Sequence, residues 1–246
     1  MSTRDSTSKA DSVPAPGATG GAVDATSSPA EVAAFLRKAR TAATGGEGRL
    51  IFALDATMSR QPTWDRACAL QSEMFAEAAA LGGLAVQLVY YRGIAECKAS
   101  KWVVDGPRLA GLMSRIDCRG GHTQIARILR HARSEALRAR VRALVFVGDA
   151  MEERIDDVCA AAGELALTGC PVLAFQEGRD PLAEQTLREV ARITGGAWCR
   201  FDLSAASELR DLLRAAAAYA AGGRAALEDL GRRQGTAAPL LLGQLR

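Results

Sequence analysis

Histidine is nearly absent from this chain: only His122 and His131 occur in 246 residues. There is no His-Glu-x-x-His, so a zinc-hydrolase helix has no basis. The six cysteines (Cys68, Cys97, Cys118, Cys159, Cys170 and Cys199) stand singly, without a Cys-x-x-Cys pair. That spacing argues against a structural zinc site or a thioredoxin-like centre. In a chain of this length they read as reduced, mostly buried small hydrophobes. Charge of one sign is also missing: 31 basic residues face 28 acidic ones. A net charge of +3 is too small to demand a nucleic-acid or membrane partner. No apolar run approaches a membrane span. The polar N-terminus lacks the apolar centre of a secretory signal, so a soluble, cytoplasmic protein is expected. Ser59 has no Gly-x-Ser-x-Gly elbow around it, which removes the usual hydrolase nucleophile. No Gly-x-x-x-x-Gly-Lys and no dinucleotide-type Gly-x-Gly-x-x-Gly follows a strand, so nucleotide binding has no support. No internal repeat is visible.

What the chain does have is apolar residues, 48% of the total, enough for a substantial core. Residues 1–29 are rich in Ser, Thr, Ala, Gly and Pro, cannot offset their ordering entropy, and are expected to be a disordered tail. Residues 30–47 read as a short amphipathic helix, carried by Val32, Phe35, Leu36 and Ala39, and a linker. Residues 48–220 read as one α/β domain, and residues 221–246 as a flexible tail ending in the apolar Leu240–Leu242.

Within the domain, the stretch organising everything else is Arg49–Arg60. Leu50–Leu54 is a continuous apolar run, the pattern of a strand buried on both faces of a sheet. A helix is expected from Pro62 to about Leu81, stopped by Gly82-Gly83, then a strand over Leu84–Tyr91. Ile94–Val104 reads as a weaker pair or edge strand interrupted by Lys98 and Lys101, and a hairpin there makes that edge antiparallel. Further elements are a helix over Pro107–Ile116, a loop over Cys118–Gln124 and a helix whose inner face is Ile125, Ile128, Leu129, Ala132 and Ala136. A second fully apolar strand spans Ala143–Val147; Asp156–Thr168 is helical, Val172–Gln176 a strand, Leu182–Thr194 a helix closed by Gly195-Gly196, and Ala197–Phe201 a strand. Ser204–Ala220 reads as an Ala-rich helix capped by Ser204. Strands alternating with helices predict a mostly parallel sheet covered on both faces.

The chemistry collects where strands end. The first apolar strand runs into Asp55, with hydroxyls at Thr57 and Ser59; in extended backbone these alternate side chains share one face. The second apolar strand runs into Asp149, and between them Gly120-Gly121-His122-Thr123 offers another hydroxyl before a helix. Ligands in open α/β sheets sit beyond the carboxyl ends of the strands. Hard neutral and anionic oxygens of this kind suit Mg²⁺ or Mn²⁺. Each piece also has a plainer explanation: Asp149 with Glu152 resembles a helix cap, Thr123 a cap for the helix starting near Gln124, and Thr57 and Ser59 turn residues. The plainer explanations do not account for both apolar strands ending in Asp around one Gly-rich loop.

Asp55-Ala-Thr-Met-Ser59, Gly121-His-Thr123 and Val147-Gly-Asp149 resemble the three parts of the metal-ion-dependent adhesion site of von Willebrand factor type A (VWA) domains, of the bacterial intracellular kind. The resemblance covers residues 48–220. It implies a doubly wound, mostly parallel sheet of about six strands with one antiparallel edge strand and helices on both faces. It further implies a Mg²⁺ or Mn²⁺ site formed by Asp55, Thr57, Ser59, Thr123 and Asp149, and a protein partner presenting an acidic residue. Two departures stand out: Thr57 replaces the usual Ser, and Gly148-Asp149-Ala150 replaces Thr-Asp-Gly.

The expected function is therefore a non-enzymatic, metal-assisted protein-binding module. Two alternatives compete. One is a metal-dependent phosphoryl enzyme using Asp55 as nucleophile, although Thr57 stands where haloacid-dehalogenase-like families carry a second Asp. The other is a nucleic-acid-associated module using the basic helix and its exit at Arg127, Arg130, Arg133, Arg138, Arg140 and Arg142, which lacks interleaved aromatics for base stacking. His131, among these arginines, is expected at the surface, and His122 in a solvated loop.

Removing residues 1–29 is expected to leave the melting temperature unchanged, because the segment has almost no apolar surface to bury. A fall of several degrees in calorimetry would place it within the folded unit.

Overall fold

The two most apolar runs form the centre of a six-stranded sheet with the order β3-β2-β1-β4-β5-β6. In this computed structural model the described residues are 48–65, 68–69 and 84–201, together with the six helical positions Asp211, Arg214, Ala217, Ala220, Asp229 and Arg232. The strands are β1 (Gly48–Asp55), β2 (Leu84–Arg92), β3 (Glu96–Ala99), β4 (Ala143–Gly148), β5 (Val172–Glu177) and β6 (Ala197–Phe201). The helices with continuous described ranges are α1 (Gly106–Met113), α2 (Ile125–Arg138), α3 (Ile155–Ala166) and α4 (Pro181–Ile193), plus a 3-10 turn over Met58–Thr63. The expectations for residues 1–47, for most of the helix running to Leu81, for the Ser204 cap and for the C-terminal tail apart from the helical Asp229 and Arg232 fall outside the described residues.

All pairings are parallel except β2 with β3, where Val89 faces Ala99 and Arg92 faces Glu96. The sheet is thus the doubly wound, mostly parallel one expected, with one antiparallel edge. That edge is shorter than Ile94–Val104: β3 is four residues long, and the chain then returns through a single antiparallel bridge between Val86 and Val103. Lys98 lies exposed on it, which keeps the edge solvated.

Alternation along the strands divides the core in two. Leu50, Phe52, Leu54, Val145, Val147, Leu173 and Phe175 fill one face. Their companions include Leu109 and Met113 of α1, Trp64, and Ala217 and Ala220. Ile51, Ala53, Leu144, Phe146 and Ala174 fill the other face, under α2, α3 and α4. Both faces being dry explains why β1, β4 and β5 carry apolar runs rather than alternating ones.

Helix ends follow local chemistry. Asp105 and Asp180 accept the amides of Arg108 and Ala183, and Pro107 and Pro181 occupy first turns. Gly195 takes φ 68 just after α4, a left-handed turn that suits glycine. Pro62 differs from expectation: it lies inside the 3-10 turn, and the helical residues begin at Trp64.

One topological fact positions the site. After β1 the chain crosses to β2 and β3 on one side, then returns to place β4, β5 and β6 on the other. The order reverses between β1 and β4, so the loops leaving their carboxyl ends part there and leave a crevice.

The close approach at Gly196 supplies a test of the frame. A β-carbon there would lie 1.9 Å from the Val172 carbonyl oxygen, a backbone atom that cannot move aside cheaply. Gly196→Ala is expected to destabilise the domain by about 2 kcal/mol or more in urea denaturation, the scale of a core overpacking defect.

Candidate metal centre

Asp55 is the last residue of β1 and is fully buried. Its Oδ1 accepts the Thr57 backbone amide at 2.8 Å, and its Oδ2 accepts the Tyr91 phenol at 2.8 Å. Tyr91 comes from β2, directly beside Asp55 in the parallel register. Burial raises the Asp55 pKa above its ordinary value; bonds from Thr57 and Tyr91 oppose the shift, and the Asp149 carboxylate adds to it. That last effect places Asp149 within electrostatic reach of Asp55. Tyr91, buried against these carboxylates, is pushed far up and stays a phenol that donates.

The Thr57 hydroxyl lies 3.0 Å from that of Ser59. Thr57 is buried and Ser59 exposed, so the pair runs from the crevice to its rim. Thr57 precedes the 3-10 turn and makes no side-chain cap there. The adjoining loop runs alongside: Arg119 donates its amide to Ala56 at 3.0 Å and pairs in parallel with Thr57.

Thr123 caps no helix. Gln124 precedes α2, and no side-chain cap bond forms there. Instead the Thr123 hydroxyl accepts the Glu152 amide at 2.9 Å, and the Thr123 amide donates to the Glu152 carboxylate at 3.1 Å. Glu153 then receives the first amides of α2, bonding Ile125 and, at 3.1 Å, Ala126. The acidic pair after β4 therefore clamps the loop before α2. Gly121 seats that loop from below: a β-carbon on it would lie 2.0 Å from the Gly93 carbonyl oxygen.

Asp149 does not cap α3 either, since Arg154 holds that position. Its Oδ1 is buried and has no hydrogen-bond partner. A buried carboxylate oxygen left bare costs free energy, so it marks a place where something else belongs.

The structure thus joins Asp55, Thr57 and Ser59 by direct bonds. It sets Asp149 within electrostatic reach of Asp55 and ties Thr123 to the loop that follows Asp149. Sequence reasoning missed Tyr91, Glu152 and Glu153 as the groups that hold these residues. Tyr91 carried one usable signal, an acid-bonding phenol at the end of the strand next to the one ending in Asp55. Glu152 was legible only as a cap for its own helix.

As a metal site, the crevice offers two carboxylates and three hydroxyls, hard oxygens that fit Mg²⁺ or Mn²⁺. Among the described residues no group of three or more His, Cys, Asp or Glu is placed to hold a metal. His122 is exposed, as expected, with Nδ1 3.3 Å from the Glu152 carboxylate. His131 departs from expectation: it is half-buried and its Nε2 lies 2.8 Å from Gln87 Oε1, because α2 turns this position toward β2.

No protein-family model matches this chain, and no curated protein matches it. Solved structures do. A von Willebrand factor type A protein from Catenulispora acidiphila aligns with a TM-score of 0.57 at 17% identity, over 72% of this chain and 43% of that one. The SpRpn10 VWA domain aligns with a TM-score of 0.54 at 9% identity, over 70% of this chain and 95% of that one. The human COPII-coat protein Sec24c aligns at 0.52 and 16%, over 70% of this chain and 32% of that one. The aligned part thus covers less than half the length of the first and last of these. The likeness is one of fold, and that fold is VWA-like.

Tyr91→Phe removes one donor from a buried carboxylate and is expected to destabilise the domain by about 1.5–3 kcal/mol at neutral pH. Because Asp55 is raised in the folded state, its burial weighs on the fold only where it is ionised. The penalty of Tyr91→Phe should shrink as pH falls into the carboxyl range. Urea denaturation at pH 7 and pH 4 measures both; a pH-independent loss would show that only packing had changed.

Proposed function

We propose that this domain is a protein-binding module that captures a partner's carboxylate through a Mg²⁺ (or Mn²⁺) ion held by Asp55, Thr57, Ser59, Thr123 and Asp149. The observation that carries this reading is the buried, unpartnered Oδ1 of Asp149, which follows Gly148, where an added β-carbon would lie 3.4 Å from Asp55 Cβ. Bound there, the ion supplies a Lewis-acidic position that accepts an outside carboxylate. The chain's own residues do the rest. Tyr91 and the Thr57 amide fix the Asp55 carboxylate, and Glu152 fixes the Thr123 hydroxyl on the side of the Asp149 loop. Exposed Ser59 and His122 stand at the rim, where a partner would approach.

The competing readings fare worse on specific observations. Asp55 is fully buried with both oxygens bonded, a poor setting for a phosphoryl nucleophile. The arginines of α2 are largely engaged: Arg127 with the Ala95 carbonyl, Arg133 with Glu164, Arg138 with Glu135. Among the described residues no helix is long and apolar enough to cross a membrane.

Saturating Mg²⁺ is expected to raise the melting temperature by about 3–6 °C at ten times its Kd. Chelator should reverse the rise, and Asp149→Asn should abolish it without lowering metal-free stability. Asp55→Asn should do the same, since an amide can still accept from Thr57 and donate to the Tyr91 oxygen. A melting temperature indifferent to Mg²⁺ and chelator in the unmutated protein would rule out the metal bridge.

A further inference from the structure

Arg60 follows Ser59 directly and is one of the largest fully buried side chains of the domain. Its Nε lies 3.1 Å from Glu177 Oε2 as an ion pair, but Nε, Nη1, Nη2 and that Glu177 oxygen are all buried without a hydrogen-bond partner. A buried guanidinium normally uses its whole donor fork, so three nitrogens without a hydrogen bond require an account. Topology gives one. Glu177 ends β5, and the sheet order is β1, β4, β5. Arg60, in the segment leaving β1, reaches Glu177 only by passing the carboxyl end of β4, where Asp149 stands. β4 and β5 are parallel with Gly148 opposite Gln176, so Asp149 and Glu177 are level. Alternation assigns both to the face of Val145, Val147, Leu173 and Phe175. The 3.1 Å contact of Arg60 Nε with Glu177 Oε2 puts the guanidinium there too. Three unpartnered guanidinium nitrogens and two unpartnered carboxylate oxygens, Glu177 Oε2 and Asp149 Oδ1, therefore share one buried end of the sheet.

We propose that Arg60 is the internal counter-cation of this centre: it compensates Asp149 when no metal does, and thereby weakens the site's hold on Mg²⁺. The first half stands on the buried groups alone; the second rests on the metal reading above. Glu177 keeps the guanidinium paired when Asp149 is turned elsewhere, so the cation stays in place under either arrangement.

The test is a double-mutant cycle on the full 246-residue chain in chelator, with Arg60→Met, Asp149→Asn and both together, read by urea denaturation. Removing Arg60 leaves Asp149 uncompensated, so adding Asp149→Asn should restore about fivefold or more of the lost unfolding equilibrium constant. Additive effects would overturn the assignment. If Arg60→Met alone fails to fold, the cycle is run in a Glu177→Gln background, where loss of Arg60 strands no second carboxylate; recovery of folded protein on adding Asp149→Asn there counts as the same coupling, and its absence overturns it. Mg²⁺ titration by calorimetry tests the second half: Arg60→Met should bind Mg²⁺ about fivefold tighter or more than the parent, and Arg60→Lys, which keeps the charge, should match the parent. Equal affinity in Arg60→Met and the parent would overturn it. A parent that binds no Mg²⁺ would instead defeat the metal reading and leave the cycle to decide the Arg60–Asp149 coupling.

Discussion

A carboxylate at the end of the central strand is shut off from bulk solvent, and much of the local architecture supplies the hydrogen bonds that solvent would. Asp55 is fully buried, yet both of its oxygens are bonded, one by the amide two residues on and one by the phenol of the neighbouring strand. Neither donor is optional. Without them an ionised group in this position would cost several kcal/mol, or would stay protonated. The tight turn after β1, the parallel register that puts Tyr91 beside Asp55, and the burial of both follow from meeting that demand.

The same logic extends outward. The loop before α2 reaches the crevice because two acidic side chains from the loop after β4 receive its amides. Gly121 lets that loop lie against Gly93 at a distance no side chain could share. Gln124 and Arg127 then fasten the start of α2 to the β2–β3 turn through the carbonyls of Gly93, Ala95 and Glu96. Three separate connections are thereby held at one end of the sheet. A rigid setting of this kind suits a binding site, where the groups must already stand in place before a ligand arrives.

The buried Arg60–Glu177 pair shows the cost of placing charge in such a setting. Both partners lie beyond easy reach of water, and breaking the pair by removing one of them would strand the other. Such pairs seldom repay their desolvation by stability alone, so their persistence points to what else the charge does locally.

The sequence by itself determined the sheet, because dry faces on both sides demand apolar runs, and those runs are visible as Leu50–Leu54 and Ala143–Val147. It also located the oxygen-bearing groups at the strand ends, since a strand that stops on Asp must put it beside the crevice. It did not determine what each group bonds. Thr123 and Asp149 each had a plainer explanation as a helix cap beside the metal-ligand one, and His131 read as a surface residue. Side chains far apart in sequence claimed them otherwise: Glu152 took Thr123 across 29 positions and Gln87 took His131 across 44. Hydrogen bonds between buried groups are settled by which loops the sheet order brings together. Only the tertiary structure decided that Asp149 would be left with an open oxygen, and that a buried arginine would meet Glu177 at the end of β5.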